Sequence, residues 1–228
     1  MPGPMTESIV REYRRLDAAR IIGTITQLEQ RIGERFPGAG LQKVCGELRA
    51  LASESSGRVA AIAKPNVPLR LVVAAVLVAS MVLLFGIVGL MDRSKTTADN
   101  VYTVLQGVEA TMNLVVLMGV AILSLVTIED RMKRRRALGA LHELRSIIHV
   151  IDMHQLTKDP SALNSGLAPT EHSPKRMLTA SELERYLDYS SEMLSLTAKV
   201  AALYAQSFPD AVVVDAVSDI ERVSANLS

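Results

Sequence analysis

The sequence predicts an all-α protein: a two-helix transmembrane hairpin joined to helical parts on one side of a bilayer. Three observations predict it. Two long runs carry no charge, apolar residues elsewhere recur at spacings of three and four, and no stretch alternates as a strand does. Hydrophobic residues make up 49% of the 228, yet only 4% are aromatic. The mean hydropathy of +0.23 therefore reflects an excess gathered in those two runs.

The first element is expected over residues 6 to 34. Thr6 or Ser8 caps it, and Ile9, Tyr13 and Leu16, then Ile21, Ile25, Leu28 and Ile32, mark its apolar stripe. The step from Leu16 to Ile21 breaks the register once. Phe36-Pro37-Gly38-Ala39-Gly40 reads as a turn. A second helix places Leu41, Val44, Leu48, Leu51, Val59 and Ile62 on one face, and Pro65 and Pro68 end it. Residues 1 to 68 thus form a helical hairpin whose stripes bury against each other or a partner.

From Leu71 to Met91 run 21 uncharged residues, and Ala110 to Ile128 adds 19 more. At about 1.5 Å per residue, each run covers roughly the 30 Å of a bilayer's hydrocarbon core. The expected spans are 69–91 and 110–128, joined by a short outer connection over 92–109. Arg58, Lys64 and Arg70 precede the first uncharged run, and Arg131, Lys133, Arg134, Arg135 and Arg136 follow the second. The connection holds only Arg93 and Lys95, against Asp92, Asp99 and Glu109. The positive-inside rule then puts both ends of the chain in the cytoplasm. The basic cluster reads as a topology anchor that also meets anionic lipid heads, in preference to a nucleic-acid site.

Past the second span no breaker occurs before Asp159-Pro160, so one helix is expected to continue to about Thr157, with Leu141, Leu144, Ile148 and Ile151 as its stripe. Residues 158–178 read as a flexible loop. A helix from Ser181 to about Ser207 carries Leu183, Leu187, Leu194, Ala201 and Tyr204, with Ser181 and Glu184 as a capping box. After Phe208-Pro209-Asp210 a last helix carries Val213, Val217, Ile220 and Leu227. Residues 129–228 are thus expected to form a cytoplasmic helical bundle. From Ala137 onward acids outnumber bases, which argues against a nucleic-acid partner.

No catalytic motif stands out, and no cofactor is implied. Two polar groupings carry the candidate sites. In the second span Glu109, Asn113, Val120, Ser124 and Thr127 share one narrow sector with Tyr102, Gln106 and Arg131. Lipid does not solvate such groups, so the sector is a packing face toward the first span or a second subunit, or a pore lining with Glu109 at its outer mouth. In the following helix His142, Arg145, His149 and Asp152 form a strip. His149 and Asp152 have the spacing to share a metal or a proton. Arg145 beside them repels a cation, so a boundary network tying this helix to the Ser181 helix is the plainer reading. The first span carries small residues at Ala75, Ala79 and Gly86. The lone thiol, Cys45, excludes an intramolecular disulfide and any multi-cysteine metal site.

Glu34-Arg35-Phe36-Pro37-Gly38-Ala39-Gly40-Leu41, the Ile151 to Pro160 stretch (IDMHQLTKDP), and Arg185-Tyr186-Leu187-Asp188-Tyr189 through Ala201-Ala202-Leu203-Tyr204 resemble blocks of uncharacterised bacterial two-span inner-membrane proteins. The resemblance implies a bacterial inner membrane and no particular chemistry. The expected function is a non-enzymatic membrane assembly or scaffold protein that binds copies of itself or a protein partner through amphipathic helices. The alternatives are a small homo-oligomeric cation channel lined by the second span, or a membrane signal-transducing subunit.

Overall fold

The computed structural model describes residues 15–93, 100–156, 158, 171–172 and 178–228, and among these every regular element is a helix. The helices are α1 (Ala18–Arg35), α2 (Gly40–Ala63), α3 (Val67–Arg93), α4 (Asn100–Leu156), α5 (Ala180–Ser207) and α6 (Ala211–Leu227). The chain divides into two compact bodies. One comprises Met1–Lys64 and Arg134–Ser228, the other Pro65–Lys133.

The first body has one shared hydrophobic core rather than a hairpin and a separate bundle. Ile21, Ile25, Leu28 and Ile32 of α1 bury there with Leu41, Val44 and Leu48 of α2. Leu144, Ile148 and Ile151 of α4 join them, as do Met193, Leu194, Val200 and Tyr204 of α5 and Val213, Val217 and Ile220 of α6. The stripes at spacings of three and four therefore bury as their periodicity predicts. α5 is the hub, packing against α1, α2 and α6. Its buried face is wider than Leu183, Leu194, Ala201 and Tyr204 alone, taking in Tyr186, Tyr189, Met193, Leu196 and Leu203.

Several boundaries differ from expectation, each for a local reason. α1 begins at Ala18, where the Asp17 carboxylate accepts from the Ala19 N–H at 2.8 Å. The break in register after Leu16 is the helix start itself. Thr6 and Ser8 lie outside the described residues. At the head of α5 the capping box is Thr179 with Glu182, not Ser181 with Glu184. The Thr179 N–H donates to Glu182 Oε2 at 2.8 Å, and the Glu182 N–H donates to Thr179 Oγ1 at 3.3 Å. The S/T-x-x-E spacing occurs at both positions, and the upstream one takes the cap. Asp210 caps α6 through the N–H groups of Val212 and Val213. The turn after α1 is as expected, with Gly38 at φ 75°, a backbone region that a side chain would strain.

In the second body α3 runs past Met91 to Arg93, and α4 starts at Asn100. Much of the expected 92–109 connection is therefore helical. Pro65 falls in the break after α2, whereas Pro68 lies inside the first turn of α3, where its missing N–H has no partner to lose. α4 continues unbroken to Leu156, close to the expected end. The 158–178 loop lies almost wholly outside the described residues.

Both α3 and α4 are long and apolar enough to cross a membrane. Within Gly40–Val82 and Leu105–Leu156, the stretches of described residues that hold these runs, 18-residue windows have mean hydropathies of 1.8 and 2.2, and none of either window is buried. Leu71, Val76, Val82 and Phe85 of α3 are exposed, as are Val115, Val116, Leu117 and Leu123 of α4.

Candidate functional site

Partial burial within the second body marks where α3 and α4 face one another. On α3 the half-buried positions include Leu69, Val73 and Leu77, and on α4 they include Ala110, Leu114, Met118, Ala121 and Leu125. Both series step by three and four, so each is one side of a helix. These described residues of the seam are all aliphatic or Met.

The polar sector of α4 is not in that seam. Tyr102, Gln106, Glu109, Asn113, Val120, Ser124, Thr127 and Arg131 are all exposed. At about 100° per residue the sector centres roughly 120° around the helix from the seam. A packing face toward α3, one of the expected alternatives, is therefore not what this sector provides. Its groups also differ in how they are satisfied. The Thr127 hydroxyl donates to the Leu123 carbonyl at 2.8 Å, and Thr111, on the opposite side of the helix, donates to the Gly107 carbonyl at the same distance. The Asn113 amide and the Ser124 hydroxyl make no hydrogen bond to any described residue. On α3 the small residues Ala75, Ala79 and Gly86 are likewise exposed, on a side turned from the seam.

Where α3 begins, the second body holds a carboxylate that the sequence reading did not single out. Glu129 is 4% exposed, although it is the first residue past the uncharged run of α4. Its Oε1 accepts from the backbone N–H of Asn66 at 3.1 Å and pairs with Lys133 Nζ at 3.0 Å. Its Oε2 accepts from Arg70 Nε at 3.1 Å. Lys133, Asn66 and Arg70, in that order of weight, hold the carboxyl well below its ordinary range, at about 2. Glu129 thus ties the first turn of α3 to α4. The one local signal in the sequence was its position four residues before Lys133.

The basic cluster is divided by its contacts. Lys133 belongs to Glu129 in the second body. Arg134 belongs to the first body and binds the Asp210 carboxylate with two nitrogens, Nε at 2.9 Å and Nη2 at 2.6 Å. That pairing, with the N–H groups that Asp210 caps, holds the Asp210 carboxyl below the usual range. Arg131, Arg135 and Arg136 are exposed.

The histidine strip lies in the first body. His142, Arg145 and His149 are exposed and Asp152 is half-buried. Among the described residues no three His, Cys, Asp or Glu side chains gather as a metal site would require. The ion pair made beside the strip runs to α2 rather than to α5, because Glu143 Oε2 accepts from Arg58 Nη1 at 2.6 Å. His154 packs over the start of α2. A side chain on Gly40 would come within 2.6 Å of its Cε1. Beside the strip a cavity of about 380 Å³ is lined by Val44, Glu47, Leu51, Glu143, Ile147 and Val150, among others.

Cys45 is fully buried, and burial first of all pushes its thiol up to about 12, so it is unreactive at neutral pH. Lys199 Nζ lies 2.6 Å from Ser195 Oγ on the open face of α5, but both residues are exposed. Nothing there desolvates the amine as a base for serine would require. No family model, no curated protein and no solved structure matches this chain.

Proposed function

We propose that the chain is a non-enzymatic assembly protein of a bacterial inner membrane. In this reading α3 and α4 cross the bilayer as a hairpin, and the first body lies in the cytoplasm. The observation that carries the reading is the contrast between the two bodies. The first closes a core of its own, while the second leaves its apolar surface uncovered along two membrane-length helices. A large apolar side chain left in water forgoes about 1.5–3 kcal/mol, and lipid removes that cost. The excess of Lys and Arg beside Arg70 and Arg131 over the 92–109 segment supports the cytoplasmic placement of both chain ends.

Assembly is the role favoured because the first body also presents apolar surface. Val150, Met153 and Leu156 at the end of α4 are 43–66% exposed, and Val150 borders the 380 Å³ cavity. Self-association or a protein partner covers such surface. Chemical crosslinking in native membranes is expected to trap the chain in species larger than a monomer. Monomer alone, with nothing co-purifying, would sink the proposal.

A second reading, a homo-oligomeric cation channel, is favoured by the exposed polar sector of α4. It predicts that cysteine at Asn113 or Ser124 reacts with a water-soluble thiol reagent in membranes, and protection at both sites removes the reason for it. The unbroken run of α4 over 57 residues would equally suit a signal-transducing subunit.

A further inference from the structure

We infer that the α4 face carrying Asn113, Val120, Ser124 and Thr127 is where a second copy of this chain docks within the bilayer, an inference that rests on the reading of α3 and α4 as membrane spans. The face is turned away from the seam with α3, so nothing within the hairpin covers it. Its hydroxyl at Thr127 is satisfied on its own helix at 2.8 Å. The Asn113 amide and the Ser124 hydroxyl are not satisfied by any described residue. In hydrocarbon an amide without partners is strongly disfavoured, because no water is present to replace them. The face therefore needs an occupant that offers both donors and acceptors.

A second copy offers them in the right places. An amide and a hydroxyl each donate and accept, so both are complementary to themselves. Two α4 helices related by a two-fold axis along the membrane normal bring Asn113 to Asn113 and Ser124 to Ser124. Val120, 55% exposed, lies between them and packs against its own equivalent. The charges of the sector, Glu109 and Arg131, lie outside the uncharged 110–128 run. There water and salt screen the repulsion between like charges. Within the run the face carries no charge that calls for an opposite charge on a different protein.

The test is oxidative disulfide crosslinking of the full chain in native membranes, in a Cys45→Ala background. Single cysteines are placed at Val120 and Ser124 on the face and at Val115 and Ile122 on other sides of α4. Dimer is expected at the first two positions at roughly tenfold the yield of the controls. Asn113→Leu is expected to lower the yield at Ser124→Cys about fivefold, the loss of roughly one interhelical hydrogen bond. Equal yields around the helix, no dimer at the face, or an adduct with a different protein would each overturn the inference. So would labelling of the face cysteines by an impermeant thiol reagent without dimer, the outcome of a water-lined pore. Extraction with alkaline carbonate separates the two levels. Protein released by it removes the span reading and this inference together, whereas protein retained without face-specific dimer removes the inference alone.

Discussion

Glu129→Gln is expected to free the first turn of α3 from α4 and to lower the stability of the detergent-solubilised chain by about 2–4 kcal/mol. The carboxylate meets three donors, namely the Asn66 N–H, Lys133 Nζ and Arg70 Nε, all at 3.0–3.1 Å. A glutamine keeps one acceptor but turns an NH2 group toward at least one cation. The Arg70 side chain is 56% exposed, so its arm is screened and contributes little. The larger share falls to the buried carboxylate's bonds with Asn66 and with Lys133, whose side chain is 17% exposed. The sign of the pH dependence follows from the shift. The folded carboxyl titrates at about 2 against an ordinary 4.5, so its contribution is complete above 4.5 and is lost as pH falls from 4.5 through 2. Denaturation midpoints measured across that window are expected to fall more steeply for the wild-type chain than for Glu129→Gln. The other carboxylates are the same in both proteins and cancel in the comparison. Parallel curves would show that the clamp contributes nothing.

What periodicity encodes was legible in the sequence, and what depends on distant partners was not. Ile21, Ile25, Leu28 and Ile32 announce a buried face because helical spacing is a local property. The same holds for Val213, Val217 and Ile220. Glu129 reads as one acid beside a basic run, because Asn66 and Arg70 reach it from about sixty residues away. The wheel of α4 shows an aliphatic side and a polar side but not which of them α3 takes. That choice follows from the chemistry of α3, whose facing residues Leu69, Val73 and Leu77 have no group with which to satisfy an amide. Helix starts failed for a related reason. Thr179-x-x-Glu182 and Ser181-x-x-Glu184 are equal as patterns, and backbone geometry selects one. The sharing of one core by α1 and α2 with α4, α5 and α6 also escaped the sequence. Stripes show that a face must be buried without showing against what.

Phe36→Ala is expected to destabilise the first body by about 3–5 kcal/mol, the cost of emptying a large aromatic site in a core. Against a typical total of about 5–15 kcal/mol, that is a large fraction. Phe36 ends α1, where its N–H donates to the Ile32 carbonyl at 2.8 Å, and its ring is 8% exposed. The ring meets Tyr186 edge-on at 5.6 Å between centroids and Tyr189 at 6.3 Å. Both tyrosines come from α5, so one side chain fixes the α1–α2 turn to the hub of the bundle. Charge surrounds the same contact. Arg31 lies over the Tyr189 ring at 5.7 Å and pairs with Glu192 at 2.6 Å, while Lys158 lies over Tyr186 at 5.4 Å. These cations are partly solvated and cannot replace the buried ring. Phe36→Leu keeps most of the apolar volume and loses the edge contacts, so about 1–1.5 kcal/mol is expected from it. Chemical denaturation of the full chain followed by helix circular dichroism measures both variants. A Phe36→Ala protein within about 1 kcal/mol of wild type would show that the aromatic cluster does not hold α1 and α2 to α5.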